Sequence, residues 1–159
     1  MQKYYDELYK EVFRILKNKT PLGRDCGVLC EKNCCRGDKK TGMLLFPFEK
    51  SSLKTTESKN FHLAVCGGTC KRESRPLSCR LFPFFPCADE NGKITVSVDW
   101  RGYSVCPLVK NEKDVRFSRR FLHRVQKAGE LLSRDKNCLE FLKEITKEIE
   151  FEKNLRRGL

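Results

Sequence analysis

The sequence predicts an α+β chain: a small, irregular, cysteine-rich core with one β-hairpin, flanked by N- and C-terminal helices. Three observations predict it. Helical periodicity of apolar residues is confined to the two ends of the chain. Nine of the ten cysteines, most of the glycines and four of the six prolines fall between Cys26 and Cys106. Within that centre, Ile94, Val96 and Val98 alternate with Thr95, Ser97 and Asp99 directly after an Asn91-Gly92 turn, the pattern of a hairpin strand.

At the N-terminus, Tyr4–Lys17 reads as an amphipathic helix with Tyr5, Leu8, Val12 and Leu16 on one stripe. Thr20-Pro21 and then Gly23 end it. Met43–Phe48 reads as a short buried strand, and Lys50–Asn60 as a polar, mobile loop. The hairpin partner of Ile94–Val98 is Phe84–Ala88, held short or at an edge by Pro83 and Pro86. Asp114–Lys153 is helical again. Phe121, Val125, Ala128 and Leu132 form one stripe; after a break near Ser133–Lys136, Cys138, Leu142, Ile145 and Ile149 form another. Asn137 and Glu140 fit the N-cap and N3 positions of that last helix.

A length of 159 residues suits one domain with a sizeable core. Its parts are the helix of residues 1–20, a cysteine-rich metal-binding core over 22–110, and the helices of 114–153. The formal charge is +12, with an excess of +2 over residues 1–20, +5 over 21–109 and +5 over 110–159. Charge spread this way reads as a solvated surface with moderate polyanion affinity, not a basic arm. No apolar run approaches the roughly 18–20 residues of a membrane span. Asp6, Glu7, Lys10, Glu11 and Arg14 break any secretory signal in the first twenty residues, so a cytoplasmic location is expected.

In a reducing compartment ten cysteines point to metal, not to disulfides. The first cluster is Cys26-x3-Cys30-x3-Cys34-Cys35; the second is Cys66-Gly67-Gly68-Thr69-Cys70, followed by Cys79, Cys87 and Cys106-Pro107. Thiolates paired within a few residues converge on one ion at about 2.3 Å for zinc without ordering a long loop for each ligand. Glycines between two of them allow backbone N–H groups to turn towards sulfur. Adjacent side chains diverge in most backbone conformations, so Cys34 and Cys35 either serve different sites or only one of them ligates. The C-x3-C spacing differs from zinc ribbons, radical-SAM enzymes and bacterial ferredoxins.

The segments Cys26–Cys35 (CGVLCEKNCC), Gly42–Glu49 (GMLLFPFE) and Arg75–Phe84 (RPLSCRLFPF) resemble the zinc- or iron-chelating CxxCxxCC proteins, the YkgJ-like family, over roughly residues 22–110. The resemblance implies Cys26, Cys30, Cys34, Cys35, Cys66, Cys70, Cys79 and Cys106 as metal ligands. It leaves zinc and iron open, and the opening C-x3-C departs from the family's C-x2-C. A related cysteine signature is similar to one in flagellin lysine methylases, but this chain is too short to add a methyltransferase domain.

Other residues divide between roles. Cys87 is a spare ligand or a buried thiol, and Cys138 belongs to an apolar helical stripe. His62 stands four residues before Cys66, within reach of replacing a sulfur, although a lone histidine is more often surface or cap. His123, among Arg119, Arg120 and Arg124, reads as part of a solvated basic face. Arg75 and Arg80 flank Cys79 and neutralise thiolates or bind an anion. Phe82, Phe84 and Phe85 read as a cover over the centre. No catalytic triad, carboxylate pair, P-loop or dinucleotide fingerprint is present, which argues against most enzyme classes.

The expected function is a zinc protein with structural sites of four thiolates each, acting as a binding or interaction module. The alternative is an iron–sulfur protein in electron transfer or in support of a modification enzyme. A zinc-stabilised nucleic-acid binder is the third reading, motivated by the charge.

Overall fold

Residues 1–35, 42–58 and 60–158 are described in the computed structural model. Helix α1, Gln2–Leu16, buries Tyr5, Tyr9, Val12 and Leu16. Tyr9 takes the place expected for Leu8. Its ring joins the core, while its hydroxyl donates to the Pro47 carbonyl at 2.7 Å and so keeps a buried polar tip satisfied. The helix ends at Lys17 (φ +51°), before the expected Thr20-Pro21 and Gly23, and Gly23 takes φ +74° in the turn that follows.

Three antiparallel strands follow, β1 (Met43–Leu44), β2 (Lys54–Ser58) and β3 (Phe61–Val65), in the order β1-β3-β2. The loop expected over Lys50–Asn60 is corrected here: β2 pairs with β3 from Lys54↔Val65 to Ser58↔Phe61. Its residues are polar because no side chain of β2 is fully buried, while Thr55 and Thr56 are β-branched and suit a pleated backbone. Lys59 lies outside the described residues. The strand expected over Met43–Phe48 pairs only at Met43 and Leu44, with one further bond from Leu45 N–H to His62 O. Beyond it Pro47 has no N–H to donate, and Phe48 takes φ +59°.

Helix α2 (Leu77–Leu81) leads into the hairpin of β4 (Phe84–Ala88) and β5 (Ile94–Val98), paired from Phe84↔Val98 to Ala88↔Ile94 as the alternation predicts. Asp89 accepts from the N–H groups of Asn91 and Lys93, and Gly92 adopts φ +80°. These bonds close the turn. With only two strands in this sheet, Pro86 sits where a missing donor is tolerated.

After the single turn α3 (Pro107–Lys110), helices α4 (Arg119–Leu132) and α5 (Lys136–Arg157) complete the chain. Both predicted stripes are buried: Phe121, Val125, Ala128 and Leu132 on α4, and Cys138, Leu142, Ile145 and Ile149 on α5. The cap of α5 is Asp135, whose carboxylate accepts from Cys138 N–H at 2.9 Å, and not Asn137. Asn137 instead donates to the Tyr5 hydroxyl at 2.8 Å, tying α5 to α1.

Helices α4 and α5 pack on the β4–β5 hairpin, and α1 packs on α4. Gly129 permits the closest approach, since a Cβ there would meet Pro86 Cβ at 2.5 Å and Ile94 Cγ2 at 2.8 Å. On the open edge of β4, Thr146 of α5 accepts from Ala88 N–H at 2.9 Å. Apolar packing joins these elements. The cysteine-bearing loops sit on its flank, half-buried. No helix among the described residues is long and apolar enough to cross a membrane.

Candidate metal centre

Four stretches far apart in sequence carry the candidate thiols. The first runs through tight turns from Cys26, where Leu29 N–H reaches Cys26 O and Asn33 N–H reaches Cys30 O, into a single 3-10 turn at Asn33–Cys35. Glu31 and Lys32 both take left-handed φ, which costs non-glycine residues on the order of 1–2 kcal/mol each. The second stretch leaves β3 into Cys66–Cys70, where Gly68 (φ +100°) donates its N–H to the Cys66 sulfur. The third carries Cys79 on α2. The fourth is Cys106, buried at the start of α3, with its carbonyl accepting from Val109 N–H at 3.1 Å.

Cys26, Cys34, Cys35, Cys66, Cys70 and Cys79 line one small cavity of about 140 Å³, walled also by Gly42, Met43, Ala64, Phe82 and Arg75. The remaining two candidates, Cys30 and Cys106, do not line it; burial pushes the Cys26 and Cys106 thiols up, and neighbouring thiols add to it. The Cys34 thiol donates to Cys35, which brings the Cys35 thiol down to about 6, with Arg75 and Lys32 assisting, while Cys34 itself is pushed up. Burial pushes the Cys79 thiol up to about 12, with Cys35, Cys70 and Cys66 adding to it.

The thiols influence one another across the set. Cys79 and Cys66 are influenced by Cys35 and Cys70. Cys26 is influenced by Cys106 and Cys30, and Cys34 first by Cys35 and then by Cys30 and Cys26. All ten cysteines are free thiols. As the side chains stand, no three His, Cys, Asp or Glu among the described residues are gathered closely enough to hold a metal ion. The chemistry of the set nonetheless suits a soft metal: six thiols face one cavity, and the buried Nε of Arg75 beside them has no acceptor among the described residues.

The arginines separate in role. Arg75 donates to Cys70 and lines the cavity. Arg80 turns away, donating to the carbonyls of Arg72, Glu73 and Arg75, with its guanidinium 4.4 Å from the Phe13 ring centroid. It braces the turn before Cys79. Of the three phenylalanines only Phe82 covers the thiols; Phe84 and Phe85 enter the hydrophobic core.

Cys87 and Cys138 stand apart in that core. Burial pushes Cys87 up to about 11 and Cys138 up to about 12, and Cys138 contacts the Tyr9 hydroxyl at 3.7 Å. His62 lies on the exposed side of β3, with Nδ1 3.9 Å from Glu57 of β2, and does not line the cavity.

Glu49 is the residue that spacing did not reveal. Its two carboxylate oxygens accept from Phe46 N–H at 2.9 Å and Leu77 N–H at 2.7 Å, joining the GMLLFPFE segment to the helix that bears Cys79. A lone acid closing an otherwise apolar run was the available signal. No protein-family model, curated protein or solved structure matches this chain.

Proposed function

We propose that the chain is a metal-binding protein of the CxxCxxCC type, holding zinc on thiolates in two sites of four. Cys35, Cys66, Cys70 and Cys79 form one set, and Cys26, Cys30, Cys34 and Cys106 form the other. The observation that carries the reading is the convergence of six cysteines from three separated stretches on one small cavity. Eight candidate thiols match two ions of four thiolates each, with Cys34 and Cys35 assigned to different ions because neighbouring residues seldom both reach one. Binding turns the thiols inward as they deprotonate. A bound metal–thiolate group is anionic and supplies the acceptor that Arg75 Nε lacks. Zinc in such closed sites is structural, and the protein acts as a binding module.

An iron–sulfur cluster is the second reading, favoured by the donors already aimed at sulfur: Gly68 N–H to Cys66 and Arg75 to Cys70. Contacts of this kind set a cluster's potential.

Paired substitutions test the division. In C66S/C79S and in C30S/C106S, bound metal falls by one equivalent each from two, and the remaining site keeps a thiolate spectrum when cobalt replaces zinc. Loss of all metal from either pair overturns the division into two sites, and a wild-type chain that binds none overturns the whole reading.

A further inference from the structure

Charge that is spread along the sequence gathers in space on the side of α1 and α4. An open groove of about 980 Å³ runs between these helices. Lys19, Arg119, Arg120, His123, Arg124, Lys127 and Arg134 line it, against only two acids, Glu11 and Glu130. Both acids are already engaged, Glu11 with Arg14 at 3.1 Å and Glu130 with Lys127 at 3.3 Å. Arg124 is engaged too, donating to the Ile15 carbonyl at 2.7 Å and so closing the C-terminal end of α1. Lys19, Arg119, Arg120 and Arg134 have no carboxylate within ion-pairing distance among the described residues, and all four are exposed.

Four unpaired cations in one open groove suit a polyanion better than a single small anion. The groove holds no Phe, Tyr or Trp side chain; its one ring is the imidazole of His123, and its apolar residues are Ile15 and Leu131. Single-stranded nucleic acid is held by stacking bases on aromatic rings, and that platform is missing from this lining. A duplex instead offers an outer rail of phosphates that needs only positive charge and hydrogen-bond donors. Arginine, which contributes three of the four, presents a planar fork that pairs with phosphate oxygens.

We propose that the α1–α4 groove seats the phosphate backbone of a nucleic-acid duplex, without reading its sequence. The surface is remote from the thiol cavity in composition and shares no lining residue with it, so it stands whether or not metal is bound there. Neutralising four phosphates gives an affinity that falls roughly 100-fold between 50 and 200 mM salt.

Fluorescence anisotropy of a labelled 16-base-pair duplex, as RNA and as DNA, tests it on the full chain. Wild type is expected to bind both with that salt dependence. R119Q/R120Q/R134Q, all at exposed positions, is expected to lose at least tenfold in affinity at 50 mM salt and to flatten the salt dependence. K113Q/K136Q/K147Q removes as much charge from exposed lysines outside the groove and is expected to cost less than about threefold, since only the general field changes. Circular dichroism checks that both triple variants keep their helices. Equal losses in the two variants, tighter binding of a single strand of the same length, or no duplex binding at 50 mM salt overturns the proposal. So does binding that the groove substitutions abolish for acidic lipid vesicles but leave unchanged for duplexes.

Discussion

Glu49 accepts a 2.7 Å hydrogen bond from Leu77 N–H, so one carboxylate joins the loop after β1 to the first turn of the helix that carries Cys79. The same side chain accepts from Phe46 N–H. The cysteine-bearing helix is therefore anchored to the protein through a half-buried acid, and the thiol-lined face is positioned by a residue outside its lining.

That anchor sets a pH dependence. Burial raises the Glu49 carboxyl from 4.5 to about 7, although the two amides and Arg80 pull it down. Below 4.5 the acid is protonated in both folded and unfolded chains, and its contribution to stability is complete. As pH rises the unfolded chain ionises first, so that contribution falls until about 7 and is flat above. In E49Q the fall disappears. The variant also starts lower by about 1–3 kcal/mol, because its amide nitrogen faces a backbone donor. Urea unfolding of both proteins at pH 5 and pH 8 checks this; equal pH dependence contradicts it.

Gly129 to Ala is expected to destabilise. On propensity alone alanine gains about 1 kcal/mol inside a helix. Against that gain, its Cβ falls 2.5 Å from Pro86 Cβ and 2.8 Å from Ile94 Cγ2, neither of them the free end of a flexible chain. Overpacking of this kind costs about 1–3 kcal/mol or more, so packing outweighs propensity. A melting temperature below that of wild type is the expected result, and a rise shows that α4 moves off the hairpin without cost.

Metal removal is expected to open the cysteine loops and spare the rest. The buried stripes of α4 and α5 close on the hairpin and that of α1 closes on α4 through apolar contacts, and only Cys87, Cys106 and Cys138 among the cysteines are fully buried with them. After chelation the far-ultraviolet helix signal should persist, while amide protection is lost around Cys26–Cys35 and Cys66–Cys79. Cooperative loss of all helix signal contradicts this division of labour.

The helices and the hairpin were legible because their burial is one-sided and periodic. Phe121, Val125, Ala128 and Leu132 announce a helix face, and Asn91-Gly92 announces a turn. The β2 strand was hidden because its side chains face water, so the pattern that reports burial was missing and only backbone pairing with β3 holds it. Asp135 outcompeted Asn137 as a cap because Asn137 had Tyr5 to bond across the fold, a contact no local window contains. For the candidate site, clustering of cysteines was visible in the spacing. The nearness of Cys35 to Cys66 and Cys79, the outward turn of Arg80 and the basic groove all depend on which loops the fold sets side by side.

The most direct test of the central claim is elemental analysis, with an absorption spectrum, of the full chain purified without oxygen. The account predicts zinc at two equivalents per chain and no visible band. Iron with matching sulfide and a broad band near 400 nm, roughly where such clusters absorb, would replace zinc by the second reading. Neither metal, in a chain that also fails to take up added zinc with all its thiols reduced, contradicts the account.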